Sequence, residues 1–269
     1  WQAIPEAEYR RYLPKDDRWK QRYQEPTPPD TANLPPLPEG WVWVTLPQLG
    51  ELSRGKSKYR PRNAPFLYGG PYPFIQTGDI RQAEGFITHY TQTYSEAGLA
   101  QSRLWPAGTL CITIAANIAD TAVLGFEACF PDSVVGFIPE FGVEVLFVDY
   151  YFRTIKSRIE RLAPATAQKN INLEMLQKLP IPLPPPAEQR RIVAEVERRL
   201  SVAREAEKAV EANLKRIARL RQAILKRAFE GKLVPQDPND EPAEALLGRI
   251  RAQEDALGGL PLFQQGHGA

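Results

Sequence analysis

The sequence predicts an α+β fold, with a mixed α/β head over residues 37–180 followed by a long helix of coiled-coil type. Three observations carry this. Between Trp41 and Lys178, short apolar runs recur with Gly, Pro, Asp and Asn between them, which is the pattern of strands and turns. From Ala187 to Glu230 there is neither Gly nor Pro, and apolar residues recur every three or four positions, as on one face of a helix. Between the two lies Leu179-Pro-Ile-Pro-Leu-Pro-Pro-Pro186, whose five prolines fix φ and resist helix.

In order along the chain, residues 1–36 read as a proline-rich arm, since the first forty residues hold eight prolines and little periodicity. Within the head, Tyr72–Gln76, Leu110–Ala116, Val123–Ala128, Val134–Ile138 and Val143–Val148 are predicted strands, and Asp149–Leu162 a helix. Residues 181–186 form a stiff joint. The long helix occupies 187–231, with Pro186 suited to its first turn, Glu188 complementing the dipole there, and Gly231 suited to end it. Its stripe is Ile192, Val196, Leu200, Ala203, Ala206, Val210, Leu214, Ile217, Leu220 and Ile224, and Val210, Ile217 and Ile224 are seven apart, as in a coiled-coil seam. Forty-four helical residues make a rod of about 65 Å. So long a stripe needs a second helix, from another chain or from a part of this one not in the sequence. Residues 232–269 are the tail.

Composition narrows the function. Of 269 residues, 43% are apolar, which excludes wholesale disorder. There is no apolar run of transmembrane length and no signal-peptide pattern, so a cytoplasmic protein without membrane contact is expected. The chain begins with Trp1, not Met, which leaves a missing N-terminal segment open. Cys111 and Cys129 stand in apolar surroundings and read as reduced core residues. The net charge of +2 does not by itself argue for nucleic acid.

Catalytic and cofactor patterns are scarce. His89 and His267 are the two histidines, and no Cys/His cluster has zinc spacing. Neither a P-loop nor a dinucleotide fingerprint occurs, nor the tetrad of an amino-methyltransferase. No cofactor or metal is expected. A metal-dependent nuclease would need its Pro-Asp near an acidic-x-Lys triplet. Pro131-Asp132 is far in sequence from Glu230-Gly231-Lys232, so nuclease chemistry is disfavoured.

Charge placement is more informative. Arg54, Lys56, Lys58, Arg60 and Arg62 occupy every second position of an acid-free stretch, a spacing that suits phosphates along a strand, and Tyr59 and Asn63 add groups able to stack or read base edges. A solvated basic loop is the alternative. Thr166, Gln168, Lys169 and Asn170 form a second polar cluster, whose amides suit adenine and whose lysine suits phosphate or guanine. Gln76 and Thr77 open a third, for which a turn capped by Asp79 is the preferred reading. Ser102 and Arg103 make a fourth.

These residues come with a resemblance. The run Lys169-Asn-Ile-Asn-Leu-Glu-Met-Leu-Gln-Lys-Leu-Pro-Ile-Pro-Leu-Pro-Pro-Pro-Ala-Glu-Gln-Arg-Arg-Ile192 resembles the junction of target-recognition domain and conserved helix in specificity subunits of type I restriction–modification enzymes. Leu37-Pro-Glu-Gly-Trp-Val-Trp-Val-Thr-Leu46 is similar to that domain's opening, Pro73-Phe-Ile-Gln-Thr-Gly-Asp-Ile80 to an internal pattern, and Gly231–Leu247 to the segment after the helix. The resemblance implies a non-catalytic subunit that reads double-stranded DNA and binds methyltransferase (modification) and restriction subunits. A whole subunit of this kind has two recognition domains and two antiparallel helices. One of each here implies a second half or a homodimer. A degenerate half that binds methyltransferase without reading DNA is the alternative.

Overall fold

The computed structural model describes residues 25–115, 117–162 and 171–256. The chain divides into two compact units, residues 1–199 and 200–269.

The first unit is built on a five-stranded sheet. Its strands are β2 (Gly50–Arg54), β4 (Phe86–Ile87), β6 (Leu110–Thr113), β7 (Thr121–Leu124) and β8 (Val134–Pro139), in the order β2-β8-β6-β7-β4. All neighbours are antiparallel except β4 and β7. β1 (Val42–Val44) pairs with β9 (Ile181–Leu183), and β3 (Tyr68–Phe74) with β5 (Gln92–Tyr94). Among the described residues, five short helical elements, one main packing helix and the start of one long helix complete the unit. They are α1 (Leu46–Leu49), a 3-10 turn at Pro65–Leu67, α2 (Thr77–Gln82), α3 (Glu96–Ala100), α5 (Leu173–Gln177) and α6 (Pro186–Phe229), with α4 (Val145–Leu162) as the main packing helix.

Alternation along the strands divides the core between the two sheet faces. Leu110, Ile112, Val123, Val135 and Phe137 meet Val145, Val148, Phe152 and Ile159 of α4 on one face. Cys111, Ala122, Leu124 and Val134 meet Ile75, Ile80, Trp105 and Phe130 on the other. Trp105 and Phe130 stack at 4.7 Å, and a side chain at Gly136 would lie 2.6 Å from the Trp105 ring. Cys111 and Cys129 are free and buried, and burial pushes the Cys129 thiol up to about 11.

Two expectations change. Val143–Val148 is not a strand, because α4 begins at Val145 rather than at Asp149. Val145, Val148, Phe152, Ile155 and Ile159 recur at helical spacing, and the run of four apolar residues at its start hides that period. The proline joint is extended, but Ile181–Leu183 is also paired, Trp43 opposite Pro182 in a two-stranded ribbon. Proline is tolerated there because such a ribbon is all edge. The Tyr151 hydroxyl donates to the Pro180 carbonyl at 2.8 Å, fixing the joint to α4.

Both ends of α6 follow local rules. Pro186 is the first helical residue, and the Glu188 and Gln189 amides donate to the Pro185 carbonyl. At the other end, Gly231 has φ +68°, its amide donates to the Ala228 carbonyl and that of Lys232 to the Arg227 carbonyl, a Schellman cap. The Gln189 side chain is buried at the start of α6. Its Oε1 accepts from the Glu144 amide at 2.9 Å and its Nε2 donates to the Pro184 carbonyl at 2.9 Å.

In the second unit, α6 continues to Phe229 and α7 (Ala243–Ala256) follows the turn after the cap. None of its described residues is buried. Among the described residues no helix is long and apolar enough to cross a membrane.

Candidate nucleic-acid interface

The sheet register brings several loops to one end. Arg54 stands opposite Val135, Val135 opposite Ile112, and Ile112 opposite Thr121, so these four residues form one row across β2, β8, β6 and β7. The loop after Arg54, the turn before Val134 and the β6–β7 connection therefore leave the sheet at the same end. Ile171 joins them, its amide donating to the Ile114 carbonyl at 3.0 Å. Thr166, Gln168, Lys169 and Asn170 lie outside the described residues.

The loop of residues 55–64 is held by its small residues and displays its cations. Gly55 donates from its amide to the Val134 carbonyl, and a Cβ there would stand 2.3 Å from the Pro131 carbonyl oxygen. Gly55 and Ser57 are buried, whereas Arg54, Lys56, Lys58, Arg60 and Arg62 are all exposed. The alternation seen in the sequence thus becomes an alternation of inside and outside.

The cations differ in what already holds them. Arg62 donates to both Asp132 carboxylate oxygens at 2.8 Å, and Arg54 donates to the Asp132 carbonyl. Arg60 donates to the Ser57 and Tyr59 carbonyls at 2.7 and 2.8 Å. Lys56 and Lys58 have no carboxylate within ion-pair distance among the described residues. Tyr59 packs edge-on against Phe66 at 5.0 Å with both rings partly open to solvent, and its amide donates to Gln101. Asn63 is exposed.

The other candidates are occupied by the fold. Ser102 donates to the Lys56 carbonyl at 2.9 Å and so supports the basic loop from behind. Arg103 pairs with Glu51 and lies 4.0 Å over the Trp105 ring. That guanidinium holds the Glu51 carboxyl below its ordinary value. Gln76 and Thr77 begin α2, where Asp79 accepts from the Gln76 amide at 2.8 Å, and the Gln76 side chain donates to Gln92. Asp79 does cap this stretch, but as the third residue of helix α2 rather than of an isolated turn. Exposed His89 has its Nδ1 2.8 Å from the Thr88 hydroxyl. Among the described residues no three His, Cys, Asp or Glu converge with metal-binding geometry.

On the helix, Ile192 and Val196 are partly covered. Leu200, Val210, Leu214, Ile217, Leu220 and Ile224 are 38–61% exposed. Sequence reasoning missed a second group of cations, on α2 and α4. Arg81, Arg153 and Lys156 are far apart in sequence and carry no local pattern.

Comparison with known proteins agrees with this architecture. The family model for the type I restriction modification DNA specificity domain matches residues 38–216. The specificity subunit of the type I restriction enzyme EcoDI from Escherichia coli is 26% identical, over 84% of this chain and 51% of that protein. That of EcoKI from E. coli strain K12 is 32% identical, over 80% of this chain and 48% of that protein. The crystal structure of the HsdS subunit from Thermoanaerobacter tengcongensis superposes with a TM-score of 0.53 at 28% identity, covering 75% of this chain and 48% of that one. A chain from a solved type I R-M system gives a TM-score of 0.60 at 27% identity, covering 75% of this chain and 49% of that one. The chain thus spans about half the length of the relatives it matches. With the family model spanning well over half of its residues, the chain belongs to the type I restriction modification DNA specificity domain family.

Proposed function

We propose that this chain is a DNA sequence-specificity subunit of a type I restriction–modification enzyme. It reads one half of a bipartite duplex site in the cytoplasm, and it holds methyltransferase and restriction subunits without catalysis of its own. The observation that carries this reading is Lys56 and Lys58, exposed and without carboxylate partners among the described residues, on a loop pinned by Gly55 and Ser57 at the sheet end where several loops gather. Arg54 and Arg60 spend their hydrogen bonds on backbone carbonyls, so their charge also stays available to phosphate. Tyr59 and Asn63 sit among these cations, where they can meet base edges. Thr166, Gln168, Lys169 and Asn170, outside the described residues, belong to the proposal by residue type alone.

The exposed stripe from Leu200 to Ile224 is the face of a two-helix coil, completed by a second copy or by a second specificity half. The helix region 187–231 carries twelve Lys/Arg against seven Glu, a net +5, while residues 41–178 carry thirteen against twelve. DNA affinity of the chain alone is therefore weak and salt-sensitive, and the assembled complex supplies the rest.

The test is Lys56→Ala with Lys58→Ala. Neither side chain supports the fold, so subunit assembly stays intact. Loss of two phosphate contacts lowers the slope of log affinity against log salt by about 2. An unchanged slope with intact binding would contradict the assignment of this loop.

A further inference from the structure

The geometry points to a second phosphate-contact site, in the cleft where α2 and α4 meet the β6–β7 connection, formed by Arg81, Arg153 and Lys156. It rests on the DNA-reading function above and extends it to a second patch on the same duplex.

The cleft has a volume of about 220 Å³ and is lined by both helices and by residues 119–121. It lies at the same end of the sheet as the basic loop. Thr121 shares the cross-strand row with Arg54, three strand spacings away. That separates the two patches by about 14 Å at the sheet. A B-form major groove is about 12 Å wide, so one duplex laid across this end meets both patches.

Each cation is held facing the cleft by a different device. Arg153 Nη2 is 2.8 Å from Asp149 Oδ2, a carboxylate with no exposed surface, so one side of the guanidinium is anchored from below while 38% of the side chain stays exposed. Lys156 pairs with Asp120 and is equally exposed. Arg81 is exposed and donates to the neutral Asn117 side chain at 2.9 Å, which orients the guanidinium without neutralising it. These three cations face three carboxylates, Asp149, Asp120 and, 4.0 Å from Lys156, Glu160, and Arg158 and Arg161 add two exposed cations on α4. Preformed arginines of this kind suit phosphate oxygens, because the planar fork is already fixed before the anion arrives.

Arg81→Ala is the clean probe, since its polar partner among the described residues is a neutral amide at the surface. Replacing Arg153 would leave Asp149 buried and unpaired, and the fold would suffer. The experiment measures duplex-DNA affinity of the full chain by fluorescence anisotropy over a salt titration, for the wild type, Arg81→Ala and Lys58→Ala, with thermal unfolding as a check on folding. The expected result is a salt slope smaller by about 1 for Arg81→Ala, and by the same amount for Lys58→Ala. If Lys58→Ala lowers the slope and Arg81→Ala does not, the cleft site is overturned while the DNA-reading function stands. If Arg81→Ala spares DNA but weakens capture of the methyltransferase subunit, the cleft is a protein contact and the phosphate assignment is likewise overturned. If the wild type shows no salt-dependent binding, the DNA-reading function fails and the cleft proposal with it.

Discussion

At the scale of single residues, the interface depends as much on what is absent as on what is charged. Gly55 has no side chain because Pro131 and Phe130 fill the space where one would stand. That contact seats the chain of β2 against the Pro131–Asp132 turn, and Arg54 and Arg62 then reach Asp132 from either side of the loop. Gly55→Ala is expected to cost about 1–3 kcal/mol through overpacking, read as a lower denaturation midpoint. Gly78, where an added Cβ meets nothing within 4 Å, is the control, and Gly78→Ala should leave the midpoint unchanged or raise it. Equal losses at both would contradict the close approach at Gly55. The five cations at alternate positions were legible in the sequence, because alternation is local. Which of them are engaged was not, since Asp132 is 70 residues from Arg62 and 78 from Arg54.

At the scale of elements, the long helix was legible at both ends because its signals lie within a few residues of the event. Pro186 opens it and Gly231 closes it. The sheet order was not legible, because β2 pairs with β8 and β1 with β9 across most of the head. α4 was half legible, its first turn masked by consecutive apolar residues. Gln189 had no local signal of its role. It ties the start of α6 to the loop before α4 by accepting from the Glu144 amide, and to the joint by donating to Pro184. Gln189→Leu leaves a part-buried amide and a carbonyl without partners, at an expected cost of about 1–3 kcal/mol. Urea unfolding measures the loss, and faster hydrogen exchange at the Glu144 amide locates it. An unchanged midpoint and exchange rate would show that the two bonds do not hold the helix start.

At the scale of the whole molecule, two faces remain to be matched. One is the cationic end of the sheet, which calls for a polyanion. The other is the apolar row on α6, which calls for a second helix, since soluble proteins seldom leave a contiguous apolar face uncovered. The proposed DNA-specificity subunit made of paired halves uses both, whereas a free-standing globular domain leaves the apolar row uncovered. The most direct test of that claim is a methylome. The chain is co-expressed with the methyltransferase subunit proposed as its partner in a host without adenine methylation, and the genome is sequenced for N6-methyladenine. The result predicted is methylation confined to a two-part motif, palindromic if the chain pairs with itself. A stable complex with the methyltransferase but no methylated motif would contradict DNA reading by a self-paired chain, and would leave a broken half or decoy that needs a second recognition domain.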